Sequence, residues 1–214
     1  MKILLTAFEP FGGETMNPAL EAVKRIADHV GDTEVIRLTV PTVFYKSIAA
    51  VSAAIETEKP DAVLCIGQAE GRCELTPERV AINMDDARIP DNEGNQPIDR
   101  YIFPDGAPAY FSTLPIKAMV RSIRNAGIPA SVSNTAGTFV CNHLMYGLLH
   151  ALGKQHRGVR GGFMHVPLAP SQAANRSTPV PSMSVQDIAT GIEAAIQAIT
   201  EYKHDIAAVE GMLH

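Results

Sequence analysis

The stretch from residue 128 to residue 166 constrains the fold more than any other. Residues 128–134 have strand character, which ends at Ala136-Gly137. Residues 138–152 then carry helical spacing, with Leu144, Met145, Leu148, Leu149 and Leu152 on one face, and Gly153 stops the run. Residues 159–166 return to strand. Strand, helix and strand at this spacing make one βαβ unit. Its right-handed crossover leaves the two strands parallel and neighbours or near-neighbours.

The rest of the chain repeats the alternation. Residues 2–7 and 61–66 are apolar runs too short for helices and read as buried strands, and 34–40 alternates like a third. Helical segments cover 18–27, with Asn17 as N-cap and Pro18 at the first helical position, and 43–57. Residues 115–126 form a further helix, and Ser184 caps a last one reaching about Tyr202, beyond which the chain extends it or frays. Residues 167–181, with prolines at 167, 170, 179 and 181, read as loop. Residues 68–113 differ in character. Charge, proline and Asn/Asp turns are dense there, 80–83 is strand-like and 101–103 is a second candidate strand. The expected architecture is α/β: a single-domain α/β/α sandwich over 1–214, with a mostly parallel twisted sheet and a hairpin-containing excursion around 68–113.

Composition narrows the function. With 214 residues, 46% of them apolar, the chain can bury a sizeable core. A net charge of −5 offers no electrostatic basis for binding nucleic acid or an anionic membrane. No apolar run approaches the ~18 residues of a membrane span. The N-terminal apolar run is too short for a signal peptide, and three cysteines (65, 73 and 141) make no disulfide framework. A reduced, cytoplasmic setting is the expectation.

Sheets of this kind bind ligands beyond the carboxyl ends of their strands. Segments 8–13, 67–72, 135–141 and 165–170 leave strands at that edge. Cys141 falls in the first turn of a helix, where unpaired N–H groups and the positive dipole end favour a thiolate and suit an oxyanion. His165 ends the second strand of the same βαβ unit, so topology brings thiol and imidazole to one edge, as a nucleophile pair requires. His143, His150, His156, His204 and His214 lack this placement. The base needs an orienting acid. Glu70, Glu74, Glu78, Asp85, Asp86, Asp91 and Glu93 are all available, and spacing leaves the choice open. Glu78 is the one that immediately precedes a convincing strand. Phe8 and Phe11, in a glycine turn without phosphate-loop spacing, read either as walls for a small flat group or as core. No two His or Cys show ligand spacing at one edge, so no metal is expected.

Four motifs in order resemble the pyroglutamyl-peptidase I (pyrrolidone-carboxylate peptidase) family of cysteine exopeptidases. They are Thr6-Ala-Phe-Glu-Pro-Phe-Gly-Gly13; Thr76-Pro-Glu-Arg-Val-Ala-Ile-Asn83 with Asp86-Ala-Arg-Ile-Pro-Asp-Asn92; Ser133-Asn-Thr-Ala-Gly-Thr-Phe-Val-Cys-Asn142; and Phe163-Met-His-Val-Pro167. The resemblance implies Cys141 as nucleophile, His165 as base and Glu78 as the acid orienting it. It implies an oxyanion hole from Arg88 and the Cys141 N–H. Phe8 and Phe11 would sandwich a pyrrolidone ring, with Gln68, Ile89, Phe139 and Val140 lining the pocket or hydrogen-bonding the lactam. It further implies peptides with N-terminal pyroglutamate as substrates, no cofactor, and a homotetramer. The chain departs from the family pattern at Leu168 and Ser171, where an aromatic and an acidic residue are common. Residues alone leave two alternatives: another cysteine amidohydrolase, or a non-enzymatic small-ligand-binding α/β module.

Overall fold

A computed structural model describes residues 1–211. Its main sheet contains β1 (Lys2–Phe8), β2 (His29–Val30), β3 (Thr33–Val40), β4 (Ala62–Gln68), β5 (Thr76–Pro77) and a later strand, β8 (Arg160–Val166). Between the last two, β6 (Val80–Ile82) and β7 (Ala109–Phe111) form a separate antiparallel pair. The main sheet runs in the order β2-β3-β1-β4-β8-β5. Its four central strands are parallel, and the short edge strands β2 and β5 are antiparallel.

The helices are α1 (Pro18–Val23), α2 (Lys46–Glu58), α3 (Ile116–Asn125), α4 (Val140–Lys154), α5 (Pro170–Ala173) and α6 (Val185–Glu201). Successive strand side chains point to opposite faces. Thus Ile3, Leu5 and Ala7 of β1 pack with the buried sides of α1, α3 and α6, while Leu4 and Phe8 pack with those of α2 and α4. The same alternation sends Cys65 of β4 and Phe163 of β8 toward α4. Gly67 and His165 lie two residues further along, on that same face, and they are paired in register. No helix among the described residues is long and apolar enough to cross a membrane.

The structure corrects several sequence expectations. Residues 128–134 are extended but hang on the outer side of the 75–79 segment, bridged in parallel at Leu75–Ala130 and Glu78–Ser133. Pro77 has no N–H to donate, so that ladder has a gap. The two strands of the βαβ unit are therefore near-neighbours, with β5 between them. Residues 101–103 form no strand: Phe103 N–H donates to Asn83 Oδ1 (3.0 Å), and 109–111 pairs with β6 instead. Residues 43–45 stay outside α2 because their backbone is claimed elsewhere. Phe44 N–H donates to Asp91 (3.0 Å) and Tyr45 N–H to His143 Nε2 (2.8 Å). The first helix ends at Val23, and Arg25 and Ile26 continue it only as tighter turns. A short helix, α5, lies inside the expected 167–181 loop. Beyond α6 the described tail turns back, and Asp205 accepts the Lys117 and Ala118 N–H groups at the start of α3 (3.1 and 3.0 Å). The end of the expected tail, 212–214, lies outside the described residues.

Candidate active site

The site sits where α4 begins. Ser133 Oγ accepts the Thr135 N–H (3.3 Å) and Thr135 Oγ1 the Gly137 N–H (3.1 Å), turning the chain sharply. Gly137 takes φ +75°, a conformation costly for a residue with a Cβ. Thr138 then ties the turn to the excursion. Its hydroxyl donates to the Asp86 carbonyl (2.7 Å), and its own carbonyl accepts the Asp86 N–H (3.0 Å). Phe139 occupies the N-cap with no side-chain cap bond. The first N–H groups of α4, including that of Cys141, have no intrahelical partner, and the N-cap side chain supplies none. Asn142, next to Cys141, accepts the Ile82 N–H (2.9 Å) and donates to the carbonyls of Ile82 (2.9 Å) and Met84 (3.0 Å), clamping β6 to the helix.

His165 ends β8, almost fully buried, with its ring 4.9 Å from that of Phe163. Its Nδ1 lies 2.7 Å from Glu78 Oε1, so it donates there, and Nε2 remains for the Cys141 thiol. Glu78 reaches this position because β5 is inserted between β8 and 128–134, with the Glu78 N–H on the Phe163 carbonyl (2.8 Å). Glu78 is completely buried, and Arg72 approaches the same oxygen from behind at 3.4 Å. Burial pulls the His165 imidazolium down. The negative charge and hydrogen bond of Cys141, followed by those of Glu78, outweigh it and push His165 up to about 9. Cys65 behaves differently. Burial pushes its thiol up to about 12, against a hydrogen bond from Thr6 and with the Cys141 charge adding to it. Cys73 is exposed.

The other acids are engaged elsewhere or stand apart. Asp85 bonds His143, Asp91 holds the 91–95 turn, Glu70 and Glu93 pair with Arg176 and Lys46, Glu74 meets Ser131, and Asp86 lies on the rim. Cys141 and His165 open onto a cavity of about 360 Å³, within the range of small-ligand sites. Phe11, Gln68, Arg88, Ile89 and Phe139 line it. Arg88 makes no hydrogen bond with any described residue. Phe8 and Val140 do not line it. Both side chains are buried, Phe8 packing its ring 6.2 Å from Phe163 and Val140 lying in the core beneath α4. The aromatic pair at the cavity is Phe11 with Phe139, ring centroids 6.0 Å apart and tilted by 42°. So close together, they form one continuous wall rather than the two sides of a slot.

Gly67 carried only the signal of a strand end, yet a Cβ there would lie 3.0 Å from Cys141 Sγ and 2.6 Å from Phe163 Cζ. Arg72 and Gln172 gave no signal, and Asn142 only its place beside the cysteine.

The Pyroglutamyl peptidase family profile matches residues 1–202. The chain is 58% identical to a pyrrolidone-carboxylate peptidase of Clostridium perfringens over 99% of both chains. Among solved structures it is similar to pyroglutamyl peptidase I of Bacillus amyloliquefaciens, with 50% identity, TM-score 0.92, and coverage of 96% of this chain and 99% of that one. It is also similar to a mutant pyrrolidone carboxyl peptidase of Pyrococcus furiosus, with 40% identity, TM-score 0.90, and coverage of 94% and 99%. On a likeness that runs from end to end in sequence and in fold, the chain belongs to the pyroglutamyl peptidase family.

Proposed function

We propose that this chain acts as one catalytic domain that removes N-terminal pyroglutamate from peptides, with Cys141 as nucleophile, His165 as base and Glu78 orienting the imidazole. The observation that carries this reading is the buried Glu78–His165 hydrogen bond at 2.7 Å, with the second ring nitrogen left for a thiol at a helix N-terminus. The Cys141 thiolate attacks the pyroglutamyl carbonyl carbon. The oxyanion forms against the Cys141 N–H and the Arg88 guanidinium. His165 gives its proton to the leaving amine, and the C–N bond breaks to leave a thioester. His165 then takes a proton from water, which attacks the thioester and releases 5-oxoproline and the free thiol.

The substrate's first residue carries no charged amine, and the Phe11–Phe139 wall with Ile89 offers an apolar face suited to it. Gln68 supplies hydrogen bonding to the lactam. A site that bonds the lactam leaves polar groups unpaired when proline takes its place, and so rejects it. The test is a paired assay of the pyroglutamyl and prolyl amides of one chromophore. Release from the pyroglutamyl amide alone is expected, and equal rates would overturn the reading. The chain's composition is in keeping with a cytoplasmic enzyme. The excursion exposes Ile98, Tyr101 and Phe111, apolar area that copies in a homotetramer would bury. Sedimentation of a monomer at micromolar concentration would remove that assembly.

A further inference from the structure

One buried side chain, packed against the cavity-lining Gln68, plays no part in the scheme above. Gln172, on α5, is almost fully buried. Its Oε1 accepts the Ala169 N–H (3.0 Å). A backbone N–H can only donate, so this contact fixes which end of the amide is oxygen. Nε2 then faces three acceptors: Glu14 Oε2 at 3.1 Å, the Met16 carbonyl at 3.4 Å and Gln68 at 3.2 Å. Glu14 is held as an acceptor by Arg176 (2.7 Å). Burial raises the Glu14 carboxyl, but the hydrogen bonds from Arg176 and Gln172 hold it below its ordinary value.

The chain of polarity runs on to Gln68. The atom meeting Gln172 Nε2 must be Gln68 Oε1, so Gln68 Nε2 lies on the other side of its amide. Gln68 lines the cavity, and no described residue accepts a hydrogen bond from its Nε2. We infer that Gln172 is a positioning residue that locks the Gln68 amide with its N–H donors toward the cavity, so that the pocket selects a ligand presenting a carbonyl acceptor there. This rests on the pyroglutamyl reading, in which that acceptor is the lactam C=O. Proline has a methylene at the same place, and the unmet donor is the source of discrimination against it.

Gln172→Glu tests the polarity. It keeps an oxygen for the Ala169 N–H but replaces the donor to Gln68 with a second carboxylate oxygen beside Glu14. The Gln68 amide then turns over and presents oxygen to the cavity. In a Cys73→Ser background, KM for the pyroglutamyl amide and the 2-pyrrolidone concentration that protects Cys141 from iodoacetamide should each rise about tenfold or more. The unprotected alkylation rate should stay within about twofold, because the Cys–His pair is untouched. In a Gln68→Met background, Gln172→Glu should have no further effect on KM, since it acts through Gln68. Should Gln172→Glu prove unfolded, Gln172→Met serves instead. It frees the Gln68 amide to rotate, with a smaller rise in KM that again vanishes without Gln68. Wild-type KM in the folded variant, or an equal penalty with and without Gln68, would overturn the inference. A wild-type enzyme that treats pyroglutamyl and prolyl amides alike would instead remove the reading on which it rests.

Discussion

Gly67→Ala couples the fold to the chemistry. Gly67 sits on β4 opposite His165 on β8. An added Cβ would lie 2.6 Å from Phe163 Cζ, 3.0 Å from Phe163 Cε1 and 3.0 Å from Cys141 Sγ. Carbon contacts are at rest near ~3.5–4.0 Å, so something must move. Phe163 is 1% exposed and wedged between the rings of Phe8 and His165, which denies it a route to solvent. Overpacking of this kind costs about 1–3 kcal/mol. Alanine's lower chain entropy recovers only about 0.5–1 kcal/mol, so the steric loss wins. At about 2–4 °C per kcal/mol for a chain of this size, the midpoint of thermal unfolding should fall by several degrees. Displacing Cys141 Sγ relieves part of the strain. A displacement of the order of 1 Å at the reacting centre costs about 10² in rate. Calorimetry and pyroglutamyl-amide kinetics on the same preparation check both numbers. A variant with wild-type Tm and wild-type kcat/KM would refute the packing argument.

Other expectations follow from the same geometry. Cys141→Ser should keep its Tm and lose at least about 10⁴ of kcat, and substantial turnover would remove the nucleophile assignment. Glu78→Gln should lower kcat/KM by about 10²–10⁴, less than loss of the thiol, because an imidazole without its acid still sits beside Cys141; an unaltered rate would count against its orienting role. His165 is raised from 6.5 to about 9, so the proton it holds stabilises the folded state fully below pH 6.5. That stabilisation is lost as pH rises through about 9, so urea unfolding should show stability falling across this window, less steeply in Glu78→Gln. A flat profile in the wild type would contradict the pairing. Burial raises the Asp91 carboxyl, but Asn95 and the N–H groups of Phe44, Asn95 and Glu93 together lower it. Its contribution is therefore present above 3.8 and lost as pH falls. Asp91→Asn should cost about 1–3 kcal/mol by denaturant titration at neutral pH.

The parts of this protein written in local pattern were legible in its sequence. Apolar runs gave β1 and β4, alternation gave β3, and the Asn17 and Ser184 caps gave the starts of α1 and α6. Cys141 and His165 were legible because each sits at an element end that crossover topology carries to one edge. What escaped depends on contacts distant in sequence. Residues 43–45 fit a helix until Asp91 and His143 take their backbone. Residues 128–134 fit an inner strand until β5 intervenes. Phe8 and Phe11 looked equivalent in one turn, yet the strand's period of two turns Phe8 into the core while Phe11, past the strand end, remains at the cavity.

The choice of acid shows the limit most clearly, because two histidine–carboxylate pairs among the described residues have nearly equal geometry. His143 Nδ1 lies 2.8 Å from Asp85 Oδ2, and His165 Nδ1 lies 2.7 Å from Glu78 Oε1. Both rings are buried, and His143 is only two residues from Cys141 on the same helix. Distance to an acid therefore does not distinguish the two rings. The opposite nitrogen does. His143 Nε2 accepts the Tyr45 N–H at 2.8 Å, so its lone pair is spent holding a residue at φ +59° where α2 begins. Among the described residues no backbone N–H donates to His165 Nε2, which opens toward the thiol and the cavity. The first ring is a strut between α4, α2 and the excursion, and the second is the one that moves a proton in the proposed mechanism. Their carboxylates lie 58 and 87 residues away in the chain, so no spacing rule separates the two roles. Only the layering of β8, β5 and 128–134 delivers Glu78 to the ring whose far side is open.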